Sequence, residues 1–175
     1  QISEIKESHS LDDLLGDKRV RVLIADDVDD NIFVIKSYLK SDKITLDSTI
    51  NSTEALHKMK NNTYDLILLD ISLPGKNGFE VAKEYRAFED KGNITRQSIV
   101  ALTAFSLDEE LEHNLVDSGF DNYIMKPVKK DSLYELVVSY GHNLSKDSLT
   151  DVSVIKENDT ESDIDMAELD SDFKD

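Results

Sequence analysis

The sequence predicts an α/β domain, a doubly wound parallel sheet of five strands with helices on both faces. Three observations predict it. Short β-rich runs alternate with segments of helical period, five times within residues 19–140. The run Leu66–Leu69 is apolar at every position, so both of its faces are buried, as parallel strands require. A helical pattern follows each run, and a helical crossover is what joins parallel neighbours.

The elements follow in order. Val20–Ala25 is a short run of β-favouring residues that stops at Asp26 and Asp27. Asp29–Lys40 carries Ile32, Val34, Ile35 and Leu39 at mainly helical spacing. Ile44–Thr49 suits a second strand. Asn51 stands three residues before Glu54, a helix-start signal, and Ala55, Leu56 and Met59 continue that helix. Leu66–Leu69 is the third strand, flanked by Asp65 and Asp70. Phe79–Phe88 reads as a helix and Ser98–Thr103 as the fourth strand. Ser106 precedes Glu109 by three and is expected to cap a helix through Ser118. Asn122–Met125 is the fifth strand. Asp131–Tyr140 is the last helix, with Leu133, Leu136, Val137 and Tyr140 on one side.

Charge bounds the function. The chain of 175 residues has 20 Lys and Arg against 37 Asp and Glu, a net charge of −17. Such a balance argues against binding nucleic acid directly by neutralising phosphates, and against docking to anionic lipid. There is no cysteine, hence no disulfide, no thiolate nucleophile and no Cys-based zinc site. No apolar stretch approaches the ~18 residues of a membrane span, and no signal-peptide pattern opens the chain. A cytoplasmic protein is expected, and the opening Gln1 fits a piece of something longer.

The charge also divides the chain. Residues 141–175 hold eleven acids and three bases with few apolar residues, and are expected to be a disordered acidic tail. A short helix near Ile164–Leu169, formed on binding, is compatible with that reading. Residues 1–18 place Leu11, Leu14 and Leu15 at helical spacing before Gly16, and read as a linker or the end of an upstream segment.

In a doubly wound sheet, ligands bind outside the carboxyl ends of the strands. Those ends carry Asp26 and Asp27, then Asp70, then Thr103, then Lys126 followed by Pro127. Three carboxylates meeting at one edge repel unless a cation sits among them. A hard divalent cation suits oxygen ligands, and Mg²⁺ uses one or two carboxylates plus water and phosphate oxygens. With an ammonium and a hydroxyl added, the set is suited to holding a phosphoryl group on a carboxylate.

These residues resemble the receiver domain of two-component response regulators. The spacings are 43 from Asp27 to Asp70, 33 on to Thr103 and 23 on to Lys126. The local wording agrees: Leu73-Pro74-Gly75 and Gly78 after Asp70, Ala101-Leu102-Thr103-Ala104, and Gly119-Phe120-Asp121 leading to Tyr123-Ile124-Met125-Lys126-Pro127. The wording around Thr103-Ala104-Phe105 and Lys126-Pro127-Val128 is most similar to receivers of hybrid sensor histidine kinases. The resemblance covers residues 19–140. It implies the (βα)5, flavodoxin-like arrangement with strand order 2-1-3-4-5.

The resemblance also implies roles. Asp70 would accept a phosphoryl group from a phosphohistidine. Asp27 and Asp70 would ligate Mg²⁺, or Mn²⁺ in its place, with Asp26 acting directly or through water and the Ser72 backbone carbonyl adding a ligand. Lys126 would pair with Asp70 and then with the phosphoryl oxygens. Thr103 would hydrogen-bond a phosphoryl oxygen, Tyr123 would turn inward as the switch, and Pro127 would follow a cis peptide. The implied partners are a sensor histidine kinase, or the chain's own kinase domain, and a histidine phosphotransfer protein. The chain would then be cytoplasmic, or the cytoplasmic part of a membrane-bound hybrid kinase. Leu73 departs from the commoner Met, an apolar exchange of little consequence. Ser72 and Phe105 occupy variable places that flank the phosphoryl group in the family.

Plainer readings exist for each piece. Paired aspartates after a strand are often helix caps. An EF-hand reading of Asp26–Asp30 fails for want of the required Gly and terminal Glu. His9, His57, His113 and His142 match no metal spacing. A phosphoester hydrolase would want a second acid two residues after Asp70, where Ser72 stands. The expected protein is not an enzyme beyond self-assisted phosphotransfer and slow loss of its phosphate. The rival is a docking module of the same fold that works without phosphorylation, but such a module is expected to lose one of the five groups.

Overall fold

In the computed structural model the described residues are 10–142. They form α1 (Leu11–Leu15), β1 (Val20–Ala25), α2 (Asp29–Tyr38), β2 (Ile44–Thr49), α3 (Ser52–Asn61), β3 (Leu66–Asp70), α4 (Gly78–Gly92), β4 (Ile99–Thr103), α5 (Glu109–Ser118), β5 (Asn122–Met125) and α6 (Lys130–Gly141). All five strands are parallel, in the order β2-β1-β3-β4-β5. The expected fold and strand order are both present. The tail and its short helix near Ile164–Leu169 lie outside the described residues.

The period-2 alternation of buried strands sorts the core into two layers. Val22, Ile24, Leu66, Leu68, Val100, Leu102 and Ile124 face α1, α2 and α6. Leu23, Ala25, Ile67, Leu69, Ile99 and Ala101 face α3, α4 and α5. β3 and β4 are buried at every position because they are central and covered on both sides.

The helices start and stop where local chemistry dictates. Asn51 accepts a hydrogen bond from the Glu54 N–H, as its spacing predicts. Asn77 and Glu80 form a reciprocal capping box, so α4 starts at Gly78, and Asn93 in the left-handed region ends it beyond Phe88. The cap of α5 differs from expectation. It is Asp108, whose Oδ1 accepts from the Leu111 N–H at 2.7 Å, and not Ser106. A carboxylate two residues closer to the helix outcompetes the hydroxyl and also faces the positive end of the helix dipole.

The leader contributes to the core. Leu11 and Leu15 of α1 are buried with the α6 layer. Lys43 Nζ donates to the carbonyls of Asp12 (2.9 Å) and Gly16, holding the end of α1. At the amino-terminal edge of the sheet, Arg86, Glu89, Gln97 and Asp121 form a buried polar network. Glu89 accepts from Arg86 Nη1 (2.5 Å) and from the Gln97 N–H (2.7 Å). Asp121 accepts from Arg86, Arg96 and the Ile99 N–H. This network ties α4 to β4 and to the turn before β5.

Candidate functional site

Strand register builds the site. Ala25 pairs with Leu69, so Asp26 emerges from β1 abreast of Asp70 at the end of β3. Asp70 pairs with Leu102 and Thr103 with Met125, so Thr103 and then Lys126 step out beside it. Asp26, Asp27 and Asp70 offer carboxylate oxygens that all lie within 4.8 Å of one another. Asp26 and Asp70 are buried and Asp27 is exposed.

Each buried carboxylate is held by named donors. Lys126 Nζ lies 2.6 Å from Asp70 Oδ2 and 3.2 Å from Asp26 Oδ2. Asp70 Oδ1 accepts from the Ser72 N–H at 2.8 Å. Asp26 Oδ1 accepts from the Val28 N–H (2.9 Å), and its Oδ2 from Asn31 Nδ2 (3.1 Å). Burial pushes the Asp70 carboxyl above its ordinary range. Lys126 and the Ser72 N–H pull it down, and the Asp26 charge adds to the rise. Burial alone would lower Lys126, but its hydrogen bond and ion pair with Asp70 outweigh that and raise it.

Three carboxylates against one ammonium leave two negative charges when all are ionised. A divalent cation with oxygen ligands matches that deficit, and the crowded, partly open oxygen set fits one. The donor set contains no sulfur or imidazole, which disfavours zinc.

The other expected residues are at the same edge with different engagements. Thr103 is fully buried, and its Oγ1 accepts from the Phe105 N–H at 3.0 Å, so it caps its own loop rather than touching Asp70. Phe105 stands out into solvent. Tyr123 is half-buried beside α5, in a groove with Leu107, Leu115, Val116 and Phe120. The Lys126–Pro127 peptide is cis, as the resemblance implies.

Two contributors escaped sequence reasoning. Asn31 orients Asp26 from the first turn of α2, and one polar residue there carries no distinctive signal. Gly78 belongs to the motif after Asp70, and its reason is steric. A Cβ on it would lie 2.5 Å from the Asp70 carbonyl oxygen and 2.6 Å from Ile71 Cα. The start of α4 therefore docks directly on the backbone that carries Asp70, with the Gly78 N–H donating to the Ile71 carbonyl at 3.0 Å. Gly78→Ala is expected to cost about 1–3 kcal/mol through overpacking. It should also displace the Asp70 backbone. A urea midpoint within error of the wild type would show that the contact relaxes freely.

A five-stranded doubly wound domain with acids, a lysine and a hydroxyl at one carboxyl edge is of the class that binds its ligand at that edge. The chain belongs to the response regulator receiver domain family, whose family model matches residues 22–138. It is 32% identical over 139 residues to hybrid signal transduction histidine kinase L of Dictyostelium discoideum, covering 78% of this chain and 8% of that protein. The chain thus spans under a tenth of that relative's length. Among solved structures it is similar to the receiver domain of a Saccharomyces cerevisiae response regulator, co-crystallised with a histidine phosphotransfer protein. The TM-score is 0.67 and the identity 28%, over 75% of this chain and 97% of that one. It is also similar to the receiver domain of a sensor histidine kinase from Pseudomonas aeruginosa with a magnesium ion coordinated in its active-site cleft. There the TM-score is 0.61 and the identity 28%, over 71% of this chain and 98% of that one. Among the described residues no helix is long and apolar enough to cross a membrane.

Proposed function

We propose that this receiver domain is a phosphoacceptor that takes a phosphoryl group onto Asp70 from a phosphohistidine. The donor is a sensor histidine kinase, the chain's own kinase domain or a histidine phosphotransfer protein. One observation carries the reading: the buried Asp70 carboxylate lies between two further carboxylates and a lysine that is hydrogen-bonded to it. The hybrid-kinase relative and the phosphotransfer co-crystal of a similar domain support the choice of donor.

In the proposed reaction an Asp70 carboxylate oxygen attacks phosphorus, the O–P bond forms as the N–P bond breaks, and the imidazole leaves. Such transfer needs positioning and neutralisation of charge spread over the phosphoryl oxygens. Lys126 is already on Asp70 and can follow the incoming oxygens. The Ser72 N–H fixes the carboxylate plane through Oδ1. Asp26, Asp27, Asp70 and the Ser72 carbonyl would hold Mg²⁺, with Mn²⁺ able to replace it. The ion would supply positive charge beside the transferring group.

Phosphorylation would work as a switch. Thr103 Oγ1 is bonded within its own loop. A phosphoryl group offers it stronger acceptors, and its movement would open space for Tyr123, shifting α5 and β5 between two pre-existing states. Beryllium fluoride with Mg²⁺ should therefore shift backbone NMR resonances of Thr103, Tyr123 and residues 108–118 as well as those around Asp70. Shifts confined to Asp70 and its neighbours would leave a phosphate store without a switch.

The phosphoacceptor reading is tested by incubating the chain with a small phosphodonor such as acetyl phosphate and reading intact mass. One added phosphoryl group is expected with Mg²⁺ and none with EDTA. A chain that stays unmodified with Mg²⁺ while still binding a phosphotransfer protein would instead be a docking module of this fold.

A further inference from the structure

At the amino-terminal edge of the sheet, away from Asp70, lies a cleft of about 330 Å³. Its floor and walls include Met59, Tyr85, Phe88 and Ile94, and its polar lining includes Arg21 and Lys60 but no acid. In a chain of net charge −17, a cleft lined by cations alone among its charged groups stands out. Arg21 spends its Nη2 on Asp47 and Asn62, yet its Nε is buried with no hydrogen-bond partner among the described residues. The Arg21 side chain is partly exposed, so a carboxylate brought to the cleft could add a second ion pair to its guanidinium. Lys60 Nζ sits over the Phe88 ring at 5.4 Å and lies 3.5 Å from Glu84. The preferred occupant combines apolar side chains with carboxylates.

We propose that the chain's own acidic tail supplies it, through the segment that carries Ile164, Met166, Leu169 and Phe173 among Asp163, Asp165, Glu168, Asp170 and Asp172. The composition of that segment matches the cleft: apolar groups for the floor and carboxylates for Arg21 and Lys60. The path is available. A Cβ at Gly141 would meet Val20, so α6 ends beside the strand that carries Arg21. The 21 residues from 143 to 163 span about 70 Å when extended, several times the ~14 Å radius of gyration of a domain this size. Tethering gives an effective concentration of order millimolar, so weak intrinsic affinity suffices for occupancy. Like-charge repulsion at the opposite edge, where Asp26, Asp27 and Asp70 gather, biases the tail toward the cleft.

The absence of cysteine permits a clean test on the full chain. A nitroxide on Ser162→Cys should broaden the amide resonances of residues 60–63 and 94–97 at low ionic strength. The broadening should fall by at least about threefold at high salt, since exposed charges are then screened. It should fall as far in Lys60→Glu, a change at an exposed position that leaves the fold intact. Absent broadening at those amides, broadening centred on another surface, or broadening unchanged by Lys60→Glu would each overturn the proposal.

Discussion

Asp70→Asn should abolish the added phosphoryl mass, reducing labelling by small phosphodonors to background. The side chain remains the same shape, and Asn can still accept from the Ser72 N–H, so the loop geometry survives. What disappears is the anionic nucleophile, an effect on chemistry that neighbouring carboxylates do not replace. Asp26 is pinned by Val28 and Asn31, and Asp27 is exposed, without the burial that surrounds Asp70. The same substitution should raise the urea midpoint in EDTA at neutral pH. Burial lifts the folded-state pKa of Asp70 above its unfolded value, so the ionised group opposes folding. In the wild type that penalty should grow as pH rises from the unfolded pKa through the folded one, and it should be missing in Asp70→Asn. A mutant that is labelled as fully as the wild type would remove Asp70 from the role.

The second large effect concerns the opposite edge. Glu89→Ala should destabilise the domain by about 1–3 kcal/mol, the cost of leaving a buried donor unsatisfied. Glu89 is almost wholly buried, and its loss leaves the buried Gln97 N–H without an acceptor and removes one of the two carboxylates on Arg86, which keeps Asp121 and the Gly119 and Gln97 carbonyls. Glu89→Met should cost less than an alanine cavity but still leave the Gln97 N–H unpaired. Glu89→Gln keeps one acceptor and should fall between the wild type and alanine. Equilibrium urea unfolding reads all three, and the slope should remain unchanged if only stability moves. A loss under 1 kcal/mol for alanine would mean that water substitutes for the carboxylate.

The strands and the carboxylate edge were legible because both follow from short-range rules. Doubly buried apolar runs such as Leu66–Leu69 have few alternatives, and a parallel sheet brings the strand ends together whatever their separation in sequence. Asp26, Asp27 and Asp70 therefore meet as the strand-end argument requires. Side-chain engagement was not legible in the same way. Ser106 satisfies the spacing of a capping box, but Asp108 takes the cap because the chain reverses later than the pattern suggests. Thr103 is where the reading puts it, yet its hydroxyl turns to the Phe105 N–H, a choice made by loop geometry. The Arg86, Glu89, Gln97 and Asp121 network escaped altogether. On a helix, Arg86 and Glu89 read as an ordinary solvated pair, and only the tertiary fold brings Gln97 and Asp121 to them. The burial of α1 was equally hidden, since three leucines before a glycine do not reveal what they pack against.

The central claim is that phosphate resides on Asp70. Its most direct measurement is site mapping in the wild-type chain after reaction with acetyl phosphate and Mg²⁺, by trapping the acyl phosphate with borohydride and sequencing the modified peptide by mass spectrometry. One modified residue is expected, Asp70, within the stretch that runs from Leu66 to Pro74. Modification of Asp26, Asp27 or a histidine with Asp70 untouched would contradict it.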